Sequence, residues 1–268
     1  MSSSRIASLD LTKNFVRLRS CGNPAPLAQA GLLGLLMVLM TTAPHIQFAH
    51  SEEVAMPDPI AHWKLEDTSD QAIDSVGKHH GMIHGATPHK GKLGNGLLFV
   101  RDEGDHISVP FSPDFKTGTF TVSAWVWLTK EPTFSGILGT RTGGEFNFDM
   151  KVNTDKVHGD IGDGVRWIET KVNFYQDDRG SNGEGGDLQT ERWYMITFVV
   201  DNHQNECRLY LDGDKKKTIP FHGEPQLMRE GQTMRIGDTG RGEFMDGVID
   251  EVRVWNTALT DDQVKQLK

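Results

Sequence analysis

Apolar and polar residues alternate at period two from about residue 60 onward, and Gly, Asp and Asn interrupt the alternation roughly every 8 to 12 residues. No other feature of the chain narrows its fold so far. Short alternating runs suit a pleated, half-buried strand and not a helix of 3.6-residue period. The clearest is "TFTVSAWVWL", β-branched and aromatic almost throughout. There Phe120, Val122, Ala124, Val126 and Leu128 make one face, and Thr121, Ser123, Trp125 and Trp127 the other. "IAHWKL", "GLLFV", "HISVPF", "GILGT", "EFNFDMKV", "KVHGDI" and "VRWIETKV" repeat the signal, as do "RWYMITFVVD", "ECRLYLDGD", "KKTIPF", "TMRIGD" and "GVIDEVRVW". One segment reads as helix: "LTDDQVKQLK", with Thr260 as N-cap, Gln263 closing a capping box, and Asp261 and Asp262 in the first turn. The expectation is an all-β sandwich or barrel over residues 58–268, with no internal repeat.

The first 50 residues are of another kind. Arg5, Lys13, Arg17 and Arg19 stand against one acid, Asp10, ahead of the uncharged, Leu/Met-rich "APLAQAGLLGLLMVLMTTA". A basic flank, a short apolar core and small residues at Ala49 and Ser51 make a secretory signal, with an uncleaved N-terminal membrane anchor as the alternative. Residues 51–57 read as a linker. The protein is then secreted or held at the cell surface or in the periplasm. The whole chain has net charge −9, so removing residues 1–50, which carry +3, leaves −12. That balance argues against nucleic acid and against anionic membrane surfaces as partners, and a membrane would be met only through an uncleaved leader. Cys21 lies in the leader and leaves Cys207 alone, so no internal disulfide holds the β domain.

Six pieces in order resemble a known family: "HWKLEDTSDQAIDSVGKHHGMIHGATPHKGKLGNGLLFV", "DHISVP", "GTFTVSAWVWL", "ERWYMITFVVD", "LYLDGD" and "GVIDEVRVWNTALTDDQVKQL". Together they are similar to the laminin-G-like jelly rolls of the concanavalin A-like lectin/glucanase superfamily. The resemblance implies a jelly-roll β-sandwich of two antiparallel sheets with a short C-terminal helix, its first and last strands close together. It implies binding or adhesion far more often than catalysis.

Hydrolysis finds little support in the residues. Retaining glucanases of this superfamily carry Glu-x-Asp-x-x-Glu on one strand, and glycoside chemistry needs two carboxylates flanking the bond. "GEFNFDMK" offers Glu145 and Asp149 without the third acid, and Asp246, Asp250 and Glu251 have the wrong spacing. The crowded His79, His80, His84 and His89 read as exposed loop residues and not as a zinc site. The acidic stretch Tyr175–Gln189 fails the EF-hand template, since from Asp178 position 3 is Gly180 and position 12 is Gln189.

Sugars pack a pyranose face on an aromatic ring. Trp63, Trp193 and Trp255 fall in strands with apolar residues on both faces, which makes them core. Trp127 stands among Thr and Ser on a sheet face, where the related pattern has a polar residue, and is the first candidate ligand platform. Trp167 and Tyr175, beside the acidic loop, are weaker ones.

Asp250 poses a separate problem. At period two it shares a face with Val248, Val252 and Val254, and a carboxylate there needs a partner. The resemblance implies one structural calcium, held by Asp250 of the last strand with Glu66 and Asp67 from the end of the first and Asp105 from a neighbouring hairpin. The alternative is a salt bridge to Arg253 or a lysine. Glu251 reads as a surface ion pair worth under about 1 kcal/mol. The functional expectation is a non-catalytic module binding glycan or extracellular glycoconjugate. The alternatives are an adhesion or assembly domain that binds protein without a sugar site, and a glucanase-type hydrolase.

Overall fold

The computed structural model describes residues 55–67, 69–131, 133–153, 156–168 and 188–268. The leader and Tyr175 lie outside them. The strands, in chain order, are β1 (Ala61–Trp63), β2 (Gln71–Ala72), β3 (Gly81–His84), β4 (Thr87–Lys90), β5 (Asn95–Phe99), β6 (His106–Pro110), β7 (Phe120–Leu128) and β8 (Ser135–Gly139). They continue as β9 (Phe148–Asn153), β10 (Lys156–Ile161), β11 (Trp193–Asp201), β12 (Glu206–Leu211), β13 (Asp214–Pro220), β14 (Thr233–Ile236) and β15 (Gly247–Trp255), and helix α1 (Asp261–Gln266) follows.

Two antiparallel sheets result. The first runs β13-β12-β11-β7-β15-β5-β4, with β1 also against β15, and the second runs β10-β9-β8-β14-β6-β3-β2. Their inner faces enclose one apolar core to which Phe120, Val122, Ala124, Val126 and Leu128 of β7 all contribute, as the alternation of that strand predicts. α1 covers part of the outer face of the first sheet, closing a small second cluster of Val199, Tyr210, Trp255, Leu259 and Val264. Its capping box forms as the sequence predicts. Asp261 anchors it, accepting from Tyr210 Oη at 2.7 Å and Lys215 Nζ at 2.6 Å. Among the described residues no helix is long and apolar enough to cross a membrane.

β15 departs from the simple alternation. Against β7 its register slips between Asp250 and Arg253, so three residues of β15 span two of β7. This is a β-bulge, and Glu251 takes a left-handed backbone there, with φ of 53°. Ile249, Val252 and Val254 therefore all reach the core, and Val248 and Asp250 are left on the other face. A strict period of two cannot see a bulge, which is why the sequence reading grouped Asp250 with Val252 and Val254. The bulge lies where the neighbour of β15 changes from β5, paired at Gly247–Ile249, to β1, paired at Val252–Val254.

Candidate functional site

Three places on the two outer faces hold the residues singled out above. On the first sheet Trp127 of β7 stands opposite Trp193 of β11. Their rings meet edge to face at 5.7 Å, and each is half-buried. Trp193 is thus a surface residue and not core, because its strand turns that position outward beside Trp127. Trp63 and Trp255 are buried as expected. The β4–β5 hairpin forms the other wall of a cleft of about 370 Å³, lined by His89, Lys90, Gly91, Lys92, Trp127 and Trp193. Lys92 Nζ lies 4.3 Å from the centre of the Trp125 ring, so cation and indole support one another at the rim. A larger depression of about 660 Å³, between the Lys116–Thr119, Asp201–Gln204 and Asn256–Ala258 loops, has no aromatic ring in its lining. It offers nothing on which a sugar would stack.

The second place is the turn that holds Asp250. The backbone N–H of Leu93, in the β4–β5 turn, donates to Asp250 Oδ2 at 2.9 Å. Oδ1 is buried and accepts no hydrogen bond among the described residues. Burial, opposed by the bond from Leu93, pushes this carboxyl up to about 6. Glu66 packs beside Gly94 of the same turn. The other two acids of the expected calcium set have different work: Asp67 Oδ2 accepts from Ile73 N, and Asp105 Oδ2 from Val100 N. The structure brings Glu66 and Asp250 to one turn and leaves Asp67 and Asp105 as caps of their own loops. Glu251 is buried rather than superficial, bonded to His62 Nε2 at 2.8 Å and to Arg253.

The third place is on the second sheet. Phe148, Met150 and Val152 of β9 point into the core, so Asp149, Lys151 and Asn153 point out, yet all three are buried. Asp160 of β10 is the direct cross-strand neighbour of Asp149. Like charges facing each other repel, and basic groups sit between and beside them. Lys151 Nζ is 3.3 Å from Asp149 Oδ2, 3.8 Å from Asp160 Oδ2 and 3.2 Å from Glu243 Oε2. Arg141 donates to Asp149 at 2.7 Å and lies over the Trp167 ring at 4.8 Å. His158 Nε2–H donates to Asp160 at 2.7 Å. Full burial first, and the nearby Asp160 second, raise Asp149 to about 6 against the pull of Lys151 and Arg141. Burial also works to raise Asp160, but the His158 bond outweighs it and the carboxyl falls below its usual range.

Close approach builds this face. β8 carries Gly136 and Gly139, and a Cβ at either would overlap the backbone of the Asp238–Glu243 loop lying on it. Glycine lets that loop down and delivers Glu243, which also accepts from Thr239 Oγ1 at 2.7 Å. Ligand atoms of Asp149, His158 and Asp160 lie within 4.8 Å of one another, a group that could hold a metal ion. Here the Lys151 ammonium already sits against both carboxylates. Sequence reasoning reached Asp149 and Trp167 but missed Lys151, His158, Asp160 and Glu243. Strand alternation would have turned the first three outward, but only the register puts Asp160 beside Asp149.

The histidines are less exposed than their loop suggests. His79 is buried, with Nδ1 3.2 Å from Asp74 and Nε2 2.9 Å from Asp114. His80 Nδ1 accepts from Asp74 N, and His84 stacks on His106 at 4.5 Å. Only His89 borders the aromatic cleft.

Comparison with known proteins places this architecture. Among solved structures, domain 4 of AbnA, an extracellular arabinanase from Geobacillus stearothermophilus in complex with arabinotriose, is similar with a TM-score of 0.59 at 20% identity, covering 80% of this chain and 99% of that one. The binding domain of Paraclostridial Mosquitocidal Protein 1 gives 0.57 at 15% identity, over 78% of this chain and 51% of that one. The binding domain of botulinum neurotoxin serotype G gives 0.56 at 12%, over 78% and 50%. The chain thus spans about half the length of the two toxin domains. At these identities the likeness is one of fold, and no curated protein matches significantly. The Laminin_G_3 family, described as Concanavalin A-like lectin/glucanases superfamily, matches residues 101–265, more than half of the chain, and the protein belongs to that family.

Proposed function

We propose that this protein is an exported, non-catalytic glycan-binding module. The observation that carries the reading is the paired, half-buried Trp127 and Trp193 in a cleft on an otherwise polar sheet face. An indole face desolvates a sugar ring at little conformational cost, and a few polar groups at the rim fix orientation. The arabinotriose complex of the similar arabinanase domain makes short arabinan oligomers a sensible first probe. Catalysis is disfavoured because Asp149 and Asp160, the paired carboxylates, are already committed to Lys151, Arg141 and His158. The leader's basic and apolar segments support export.

The test is titration of the purified protein with a glycan panel that includes arabino-oligosaccharides, beside Trp127→Ala. Binding should weaken by about 1 kcal/mol or more in the variant. Release of reducing ends above a heat-killed control would refute the non-catalytic reading. Binding to extracellular protein but to no glycan would favour the adhesion alternative.

A structural calcium at Asp250 is the second part of the proposal. Supporting it are the buried, unbonded Oδ1 of Asp250 and the Glu66 carboxylate at the same turn. Backbone carbonyls and water would have to complete a shell of six to eight oxygens. With a dissociation constant around 10⁻⁴ to 10⁻³ M, about 10 mM calcium should stabilise the fold by roughly 1.4 to 2.7 kcal/mol. Asp250→Asn should abolish the gain. A melting curve that ignores both calcium and chelator would sink the idea.

A further inference from the structure

We infer that the cleft beside Trp127 takes an acidic saccharide, one whose stacked sugar carries a carboxylate; this rests on the glycan-binding reading above. The chain is acidic overall, with 37 Asp and Glu against 28 Lys and Arg, yet the cleft is lined by His89, Lys90 and Lys92 and by no acid. All three side chains belong to exposed residues of the β4–β5 hairpin. Among the described residues no carboxylate is paired with Lys90 or Lys92. The two acids of this hairpin's turn are turned elsewhere. Asp250 accepts from Leu93 N, Glu66 packs beside Gly94, and neither borders the cleft.

Donor and acceptor chemistry sharpens the choice. A lysine ammonium offers three donors and no acceptor, and an indole offers one donor. His89 already uses Nδ1 toward its neighbour's carbonyl, at 3.0 Å from Lys90 O. The side chains around this cleft therefore present donors almost exclusively. Neutral sugars carry hydroxyls that both give and accept, and sites built for them need acceptors in the wall. A carboxylate only accepts. A hexuronate resting on Trp127 would hold its C5 carboxylate at the ring edge, where an ammonium at the rim can reach it. Charge-assisted bonds of this kind are the stronger ones.

The experiment measures binding of oligomers of galacturonate, of mannuronate and of glucuronate-containing hyaluronan, each against its carboxyl-reduced counterpart, which keeps the stereochemistry and loses the charge. The acid form should bind about tenfold tighter, as two rim ion pairs would give. That advantage should shrink as sodium chloride rises from about 50 to 500 mM. It should also vanish in Lys90→Ala/Lys92→Ala, whose melting temperature should match the parent because both residues are exposed. Trp127→Ala should weaken acid and reduced forms alike. Equal affinity for the two forms would overturn this inference and leave the glycan reading standing. Binding of sulfated chains but of no oligouronate would also overturn it. If no saccharide of any kind binds, both fall.

Discussion

On the outer face of the first sheet, two indoles stand half in water beside unpaired lysines. On that of the second, Asp149, Lys151 and His158 are packed away from water and bonded to one another. The difference shows what each face can spare. An unpaired cation at a rim costs little while water solvates it, and is free to meet a ligand. A buried charge must be matched within the protein, so it is committed to structure before any ligand arrives.

Removing one charge should separate the faces most. Lys151→Met keeps the volume and leaves Asp149, Asp160 and Glu243 short of a cation, and should cost about 3 to 5 kcal/mol. For a domain of this size the melting temperature would fall by about 6 to 20 °C. Adding Asp149→Asn should recover about 1 kcal/mol or more, since the pair is then removed together. If Lys151→Met melts like the parent, the second face is not the committed one.

Gly139→Ala comes next. Its Cβ would press on the Thr239 backbone and lift the loop that carries Glu243, at a cost of about 1 to 3 kcal/mol. Thermal melts of this variant should show a loss on the second face while glycan titration of the first stays at the parent value.

A smaller effect compares the two raised carboxyls. Asp149 and Asp250 each titrate near 6 in the fold, above the ordinary 3.8. A raised carboxyl favours the fold most below its unfolded value and loses that contribution as pH climbs through its folded value. Lowering pH from 7.5 to 5.5 should therefore raise the melting temperature, by about 2 to 4 °C per kcal/mol recovered. The lowered carboxyls of Asp74, Asp160, Glu251 and Asp261 oppose this only below about pH 4.5, near ordinary carboxylate values. Asp250→Asn should flatten part of the slope. Calcium should flatten that same part in the parent, because it needs the ionised form.

Trp127→Ala should disturb stability least, by under about 1 kcal/mol, because the ring is half-exposed. A large drop would show that Trp127 is structural, and would erase the contrast from the other side.

Much of the architecture could be read in advance. The inward face of β7, the capping box at Thr260 and the two-sheet arrangement follow from local periodicity and from the family resemblance. The sites were harder to read, for identifiable reasons. Trp127 was legible because a tryptophan among Thr and Ser breaks its own strand's pattern. Trp193 was not, since apolar neighbours on both sides hide which way it points. Asp250 drew attention for the right reason and was placed on the wrong face, because one left-handed residue, Glu251, resets the alternation. The Asp149–Asp160 pairing depends on the register of β9 against β10, which no single strand encodes.

The position of β15 has a consequence in time. It is the last strand in the chain, yet it lies within its sheet, with β7 on one side and β5 and β1 on the other. While the chain is still being made, β7 and β5 have no neighbour in that gap, and the first sheet exists as two unjoined parts. Pairs such as Ala61 with Val254 close very long loops, the kind of contact that slows folding to milliseconds or seconds. The sandwich must therefore assemble after synthesis rather than during it. In that interval the open edges of β7 and β5 are templates for other chains, and a holding chaperone would have its clearest target there.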